Sequence, residues 1–87
     1  MEKTQAIFKA LSDETRLSIV LFLRDVKKAS CKDISEKFPE LSQPTMSHHF
    51  KILKESGVLD VKKKGTEHTY TLNIQDLKKC GIDVVKL

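Results

Sequence analysis

The chain has 87 residues and a net charge of +4, with 16 Lys or Arg against 12 Asp or Glu. A chain of this length forms one small domain with a thin core, and its basic balance favours a polyanionic partner. It has no run of about 18 apolar residues, so we expect no membrane span. Its two cysteines are too few for a disulfide framework, and we expect a cytoplasmic protein with reduced thiols.

The first third of the chain predicts two helices. Residues 4–11 carry an apolar stripe at helical spacing. Ser12 and Asp13 end this helix and can cap a second one, which we predict over residues 13–24. This second segment is apolar almost all round, a pattern typical of a buried central helix. Residues 25–29 predict a polar connector.

A short third helix is predicted over residues 31–38. Ser30 and Asp33 have the spacing of a capping box, in which each side chain accepts a hydrogen bond from the other residue's backbone. Ile34 and Phe38 would be its buried side chains, and the proline that follows would end it.

The most informative segment is a fourth helix, which would begin after Ser42 as N-cap and run to about Ser56. Its apolar edge is thin and consists of Met46, Phe50 and Leu53. Off that edge lie short hydrogen-bonding side chains and one lysine: Gln43, Thr45, Ser47, His48 and Lys51. A helix that reads base edges in a DNA groove needs short donors and acceptors of this kind.

Beyond this helix apolar residues recur at every second position, which predicts strands over residues 58–61 and 68–72. Residues 62–67 between them contain three lysines and a glycine and predict a basic hairpin loop. A last short helix, capped by an asparagine, is predicted over residues 74–80. Residues 82–87 would form either an extended tail or a further packed segment.

This order of elements predicts a mainly α fold with a small β-hairpin, a winged helix-turn-helix. We expect a single DNA-binding domain over residues 1–87, with the helix-turn-helix at about 31–56 and the wing at about 58–72. The fourth helix would enter the major groove, and the hairpin would contact the neighbouring backbone or minor groove.

Two segments resemble the ArsR/SmtB family of bacterial repressors. FKALSDETRL, residues 8–17, resembles the family's LxDxTRLxIL opening, and residues 41–53 resemble its recognition-helix run. The resemblance implies a homodimeric repressor that a ligand or metal releases from its operator. Two copies would place their recognition helices in successive major grooves, so we expect the operator to be an inverted repeat. The family's closing helix is usually long and helps form the dimer. Here Gly81 interrupts that helix early, so we expect the dimer interface to rest more on the first helix.

The helix pattern and the resemblance together assign a set of DNA-contacting residues. Those on the recognition helix are Ser42, Gln43, Thr45, Ser47, His48 and Lys51. Those on the wing and facing the backbone are Lys32, Lys62, Lys63, Lys64 and Thr66. By the resemblance, Gln43, Thr45, Ser47 and His48 match base-reading positions, whereas Lys51 and the wing lysines match backbone contacts.

The metal sites of the family are not matched by this sequence. The family's thiolate site uses Cys-x-Cys at the start of the third helix, where this chain has Ser30-Cys31-Lys32. A second family site uses Asp and His on the last helix, but no His follows Asn73. We therefore expect no bound metal and no cofactor, and the effector stays open.

Three alternatives remain at this stage. Cys31, at a helix N-terminus beside Lys32, has features that favour a reactive thiol. A metal sensor would draw its ligands from Cys31, Cys80 and the three histidines, although the adjacent His48 and His49 point about 100° apart on a helix. We expect His48 to face DNA and His49 to pack near the core edge. A protein-interaction module is the third alternative. The sequence contains no set of catalytic residues that would indicate an enzyme.

Overall fold

The computed structural model describes residues 2–87. Its elements in chain order are α1 (Glu2–Leu11), α2 (Glu14–Val26), β1 (Lys28–Ser30), α3 (Cys31–Lys37), α4 (Gln43–Glu55), β2 (Leu59–Lys64), β3 (Glu67–Leu72), α5 (Ile74–Lys79) and a short 3₁₀ turn (Val84–Lys86). The predicted fold class, a mainly α winged helix-turn-helix, is confirmed. No helix among the described residues is both long enough and apolar enough to cross a membrane.

The core lies between α1, α2, α4 and the sheet. Of the two predicted capping residues, Asp13 is the N-cap of α2, because its Oδ2 accepts a hydrogen bond from the backbone N–H of Arg16 at 2.9 Å. One side of α2 is fully buried, through Ile19, Val20 and Leu23. Leu17, Leu21 and Phe22 are only half-buried. The prediction of a helix buried all round was therefore too strong, because a chain of this size cannot cover every face of its central helix.

The capping box at the start of α3 is formed as predicted. Ser30 Oγ accepts from the backbone N–H of Asp33 at 3.1 Å, and Asp33 Oδ2 accepts from the backbone N–H of Ser30 at 3.0 Å. The helix ends one residue early, and Phe38 is half-buried rather than buried. Its ring packs edge-to-face on Phe22 with 6.1 Å between centroids. The turn between α3 and α4 closes with a bond from Leu41 N–H to the Phe38 carbonyl.

The predicted connector over residues 25–29 contains a strand that sequence reasoning missed. Lys27 has a positive φ of 76° and ends α2, after which β1 pairs with β3 in a sheet of order β1-β3-β2. The register sets buried Ala29 opposite buried Tyr70. Three residues are too few to show a two-residue alternation, and the pairing exists only because β3 lies beside them.

The first strand of the wing is longer than predicted, because Lys62, Lys63 and Lys64 belong to β2 and not to the loop. Lys62 pairs with Thr69, and the last pair of the ladder sets Lys64 opposite Glu67, where opposite charges are favourable. The turn itself consists of only residues 65 and 66, with the glycine at a φ of 63°. Such a left-handed position suits glycine in a two-residue hairpin turn.

The C-terminal segment packs against α2. Ile82 and Val84 are buried, and Arg24 Nη1 donates to the carbonyls of Val84 and Leu87 at 3.2 and 3.1 Å. Of the two alternatives for residues 82–87, the packed segment is the one observed. Asn73 precedes α5 but makes no side-chain cap. Its Nδ2 instead donates to the carbonyl of Gly57 at 2.8 Å, which ties the start of α5 to the end of α4.

Candidate nucleic-acid interface

α4 presents a polar face to solvent because its apolar residues are held in the core. Met46, Phe50 and Leu53 are buried, and the ring of Phe50 stacks on Tyr70 of β3 with 4.5 Å between centroids. The predicted recognition-helix residues are all exposed: Ser42, Gln43, Thr45, Ser47, His48 and Lys51. The stack on β3 fixes this face relative to the wing.

Ser42 and Thr45 act together at the start of α4. Ser42 Oγ accepts from the backbone N–H of Thr45 at 3.3 Å and donates to Thr45 Oγ1 at 2.9 Å. The proton of the Ser42 hydroxyl is therefore used inside the helix start, whereas the proton of the Thr45 hydroxyl is free to donate outward. Pro44 lies in the first turn, where a missing N–H costs nothing.

The exposed residues of α4 divide into two strips. Gln43, Ser47 and Lys51 follow each other at four-residue spacing and lie on one side of the helix. Thr45 lies about 200° around the axis from Gln43, at 100° per residue, and shares the other side with His48. The two strips point to different parts of any surface that α4 contacts, and only the first adjoins the wing.

A cleft of about 520 Å³ separates the first strip from the wing. It is lined by Cys31, Ser47, Phe50, Lys51, Lys54, Glu55, Val61, Lys63, His68 and Tyr70. Three predicted DNA-contacting residues meet here, namely Ser47, Lys51 and Lys63. Three lysines against one glutamate give the cleft positive charge, which suits a polyanion.

Lys54 and His68 line this cleft but were absent from the sequence-based set. Lys54 follows Lys51 by three residues, so a helical wheel extended by one turn would have found it. His68 stands opposite Lys63 in the hairpin, a relation that appears only once the register of the two strands is fixed.

The other predicted wing and backbone residues lie outside the cleft. Lys62 and Lys64 are exposed on β2, and strand alternation turns them to the face opposite Lys63. Thr66 is exposed in the hairpin turn, and Lys32 is exposed in the first turn of α3. The predicted set therefore covers the helix, the wing tip and the start of α3 rather than one pocket.

The two adjacent histidines of α4 have different surroundings. His48 is exposed, whereas His49 is 9% exposed and packs at the core edge as predicted. His49 Nδ1 lies 3.5 Å from Arg16 Nη1 and 3.9 Å from Asp13 Oδ2. Burial lowers the pKa of His49 below its ordinary value, against the opposing effect of the Asp13 carboxylate.

The two cysteines lie in different parts of the fold. Cys31 is half-buried at the first position of α3 and lines the cleft near Tyr70. Burial, and secondly the charge of Cys31, raises the pKa of the Tyr70 hydroxyl. Cys80 is half-buried beside α1, with its Sγ 3.5 Å from Thr4 Oγ1. Within residues 2–87, no three His, Cys, Asp or Glu side chains come together in a way that would hold a metal ion.

The fold and the exposed α4 face define a winged helix-turn-helix transcriptional regulator. A family model described as "Helix-turn-helix domain" matches residues 11–62. An uncharacterized HTH-type transcriptional regulator of Methanocaldococcus jannaschii is 41% identical over 88 residues, which cover 99% of this chain and 91% of the relative. The arsenical resistance operon repressor of Staphylococcus xylosus is 39% identical over 72 residues, or 83% of this chain and 67% of the repressor.

Solved structures agree with these relatives. An ArsR-like transcriptional regulator from Rhodococcus sp. RHA1 has a TM-score of 0.80 at 28% identity, over 92% of this chain and 74% of that one. HlyU from Vibrio cholerae has a TM-score of 0.78 at 31% identity, over 90% and 83%. The chain belongs to the ArsR/SmtB family of helix-turn-helix regulators, and the predicted resemblance is confirmed.

Proposed function

We propose that the protein is a sequence-specific DNA-binding repressor that acts in the cytoplasm as a homodimer on an inverted-repeat operator. The observation that carries the proposal is the exposed polar face of α4, set beside a cationic cleft and a lysine-bearing wing. α4 would lie in the major groove, where short donors and acceptors distinguish base pairs. The relatives that are named as repressors support repression rather than activation.

In this arrangement different residues would contact the bases and the phosphates. Gln43 has the amide geometry that pairs with an adenine edge, and Ser47 on the same strip and His48 on the other strip would contact further bases. Lys51, Lys63 and the wing turn would contact phosphates, which position the protein without reading sequence.

The homodimer is supported by apolar side chains on α1 and α5. Phe8 of α1 is 51% exposed and Ile74 of α5 is 42% exposed. The two helices are joined by an ion pair of 3.1 Å between Lys3 and Asp76. A small domain with a thin core gains buried area when a second copy covers exposed apolar side chains of this kind.

Selection of bound sequences from a random pool of duplex DNA tests this function. We expect enrichment of an imperfect inverted repeat whose half-sites lie one helical turn, about 34–36 Å, apart. A gel shift with the selected sequence should weaken steeply as salt is raised. Absence of any enriched sequence would contradict DNA recognition and favour a protein-interaction module.

We further propose that this regulator lacks the metal switch of its family, since Ser30-Cys31-Lys32 stands at the Cys-x-Cys positions. Calorimetric titration of the reduced protein with zinc should then show no binding at micromolar concentrations. Stoichiometric heat release would instead identify a metal sensor that uses cysteine or histidine ligands.

A thiol-responsive regulator is the second candidate, and the place of Cys31 in the cleft favours it. Modification of this thiol would add bulk between α4 and the wing. Treatment with peroxide should then reduce DNA binding by the wild type and by Cys80→Ser, but not by Cys31→Ser. Equal DNA binding by treated and untreated wild type would exclude this candidate.

A further inference from the structure

His49 is an unusual member of the buried side of α4. Its neighbours on that side, Met46, Phe50 and Leu53, are apolar. His49 is the polar side chain that α4 places in the core, and only 9% of it is exposed. A buried imidazole needs hydrogen-bond partners, and these come from α2.

Arg16 connects His49 to the ends of two other helices. Arg16 Nε donates to the carbonyl of Ala10 near the end of α1 at 2.8 Å. Its backbone N–H donates to Asp13 Oδ2, the N-cap of α2, at 2.9 Å. Arg16 Nη1 then lies 3.5 Å from His49 Nδ1. Because a guanidinium only donates, His49 Nδ1 can accept from Arg16 only when the imidazole is neutral with its proton on Nε2.

The charges around His49 are consistent with a neutral ring. Burial lowers its pKa, the Asp13 carboxylate raises it, and the Arg16 guanidinium lowers it further. Lys9 and Glu55 line a small groove together with Arg16 and are further charged groups on the Arg16 side of the pair. Protonation of His49 would remove the acceptor and place two cations 3.5 Å apart.

We propose that Arg16 and His49 are positioning residues, which fix the rotation of α4 about its axis on the α1–α2 corner and thereby set sequence recognition without touching DNA. This inference rests on the proposed function. Outer side-chain atoms lie about 5–6 Å from a helix axis, so a rotation of about 20° displaces them by about 2 Å. Such a displacement breaks hydrogen bonds to base edges, whose donor–acceptor distances span only a few tenths of an ångström.

The test uses four variants of the full chain. Arg16→Met keeps much of the packing volume without a donor, and His49→Leu removes the acceptor. His49→Asn keeps an acceptor near the Nδ1 position and cannot become charged at neutral or mildly acid pH. The double variant Arg16→Met/His49→Leu completes a double-mutant cycle. Circular dichroism and thermal melting check that each variant is folded.

The readout is the ratio of affinities for the selected operator and a scrambled duplex, measured by fluorescence anisotropy at pH 8. We expect Arg16→Met and His49→Leu each to lower this ratio by about tenfold, the size of a lost hydrogen bond to a charged group. The double variant should lose no more than either single variant, and His49→Asn should retain most of the ratio. A merely structural role would change melting temperature while leaving the ratio unchanged.

The pH profile separates His49 from the exposed histidines. Between pH 8 and 5.5 the ratio should fall further for the wild type than for His49→Asn, because only the wild type loses its acceptor. His48 and His68 are present in both proteins, so their effects on DNA binding cancel in the comparison. Equal profiles would overturn the assignment of His49.

The outcomes also distinguish this inference from the proposed function. If the wild type discriminates the operator and the single variants discriminate it equally well, the positioning role is wrong and the function stands. If the two single losses add in the double variant, the residues act separately and the pair is not a unit. If the wild type prefers no sequence, both proposals fail together.

Discussion

At the residue scale, His49 and Asp13 make stability depend on pH in two steps. Burial lowers the pKa of His49 in the folded state below 6.5. The contribution of the neutral ring to the free energy of unfolding is therefore present above pH 6.5, and it is lost as pH falls through the lower folded-state pKa. The pKa of Asp13 is lowered from 3.8, chiefly by the hydrogen bond from the Arg16 backbone, so its contribution is lost only below that pH. Protonation of either group in acid therefore destabilises the folded state.

Urea unfolding at pH 7.5, 6.5, 5.5 and 4.5 would check the first step. We expect the free energy of unfolding of the wild type to fall below pH 6.5, and we expect His49→Asn to show a smaller fall over the same range. An identical dependence in both proteins would contradict the neutral, buried state of His49.

The capping box at Ser30 gives a second prediction at this scale. Ser30→Ala removes the acceptor for the Asp33 N–H and should cost about 1 kcal/mol of unfolding free energy. Ser18→Ala is the matched control, because that hydroxyl only donates to a carbonyl of its own helix, Glu14 O. The control should lie within about 0.5 kcal/mol of the wild type. An equal loss of unfolding free energy in the two variants would show that the Ser30 cap does not stabilise the fold.

At the element scale, the predicted helices were accurate where local chemistry decides their ends. Ser30, Ser42 and Asp13 each cap the helix that follows them, because a side-chain oxygen and the first free N–H groups are only three residues apart. β1 and the full length of β2 were missed for the opposite reason. Their backbone groups pair with β3, and neither three residues of β1 nor a run of lysines carries a strand signal of its own.

The cleft, like the sheet, depends on contacts between distant segments that the sequence alone does not predict. The α4 residues could be listed from the helical period. The meeting of Lys63 and His68 with Lys51 required the hairpin register and the Phe50–Tyr70 stack, which are tertiary facts. Sequence alone therefore indicated which side chains are available, but not that they share one concave surface.

The wing supplies the prediction at this scale. Lys63→Ala should weaken binding to all DNA sequences alike and lower the slope of log affinity against log salt by about 0.9, the value for one phosphate contact. Lys86→Ala on the C-terminal 3₁₀ turn removes the same charge away from both the proposed DNA contacts and the proposed dimer interface, and should leave that slope nearly unchanged. If Lys63→Ala instead altered base preference, the wing would be reading sequence.

At the scale of the whole molecule, the exposed apolar residues of α1 and α5 predict self-association. Phe8→Glu should convert a dimer to a monomer in sedimentation velocity and weaken operator binding, because each half-site would then be bound separately. Val85→Glu is the control, since Val85 is 78% exposed on the C-terminal segment. A Phe8→Glu protein that still sediments as a dimer would place the interface elsewhere.

The central claim is that the exposed face of α4 reads DNA sequence, and Gln43 tests it most directly. The measurement is the complete base-preference profile of Gln43→Ala beside that of the wild type, from parallel selections on random duplexes. We predict relaxed preference at one position in each half-site, with a loss of about 1–3 kcal/mol of discrimination there and unchanged preference elsewhere. A profile identical to that of the wild type at every position would contradict the claim.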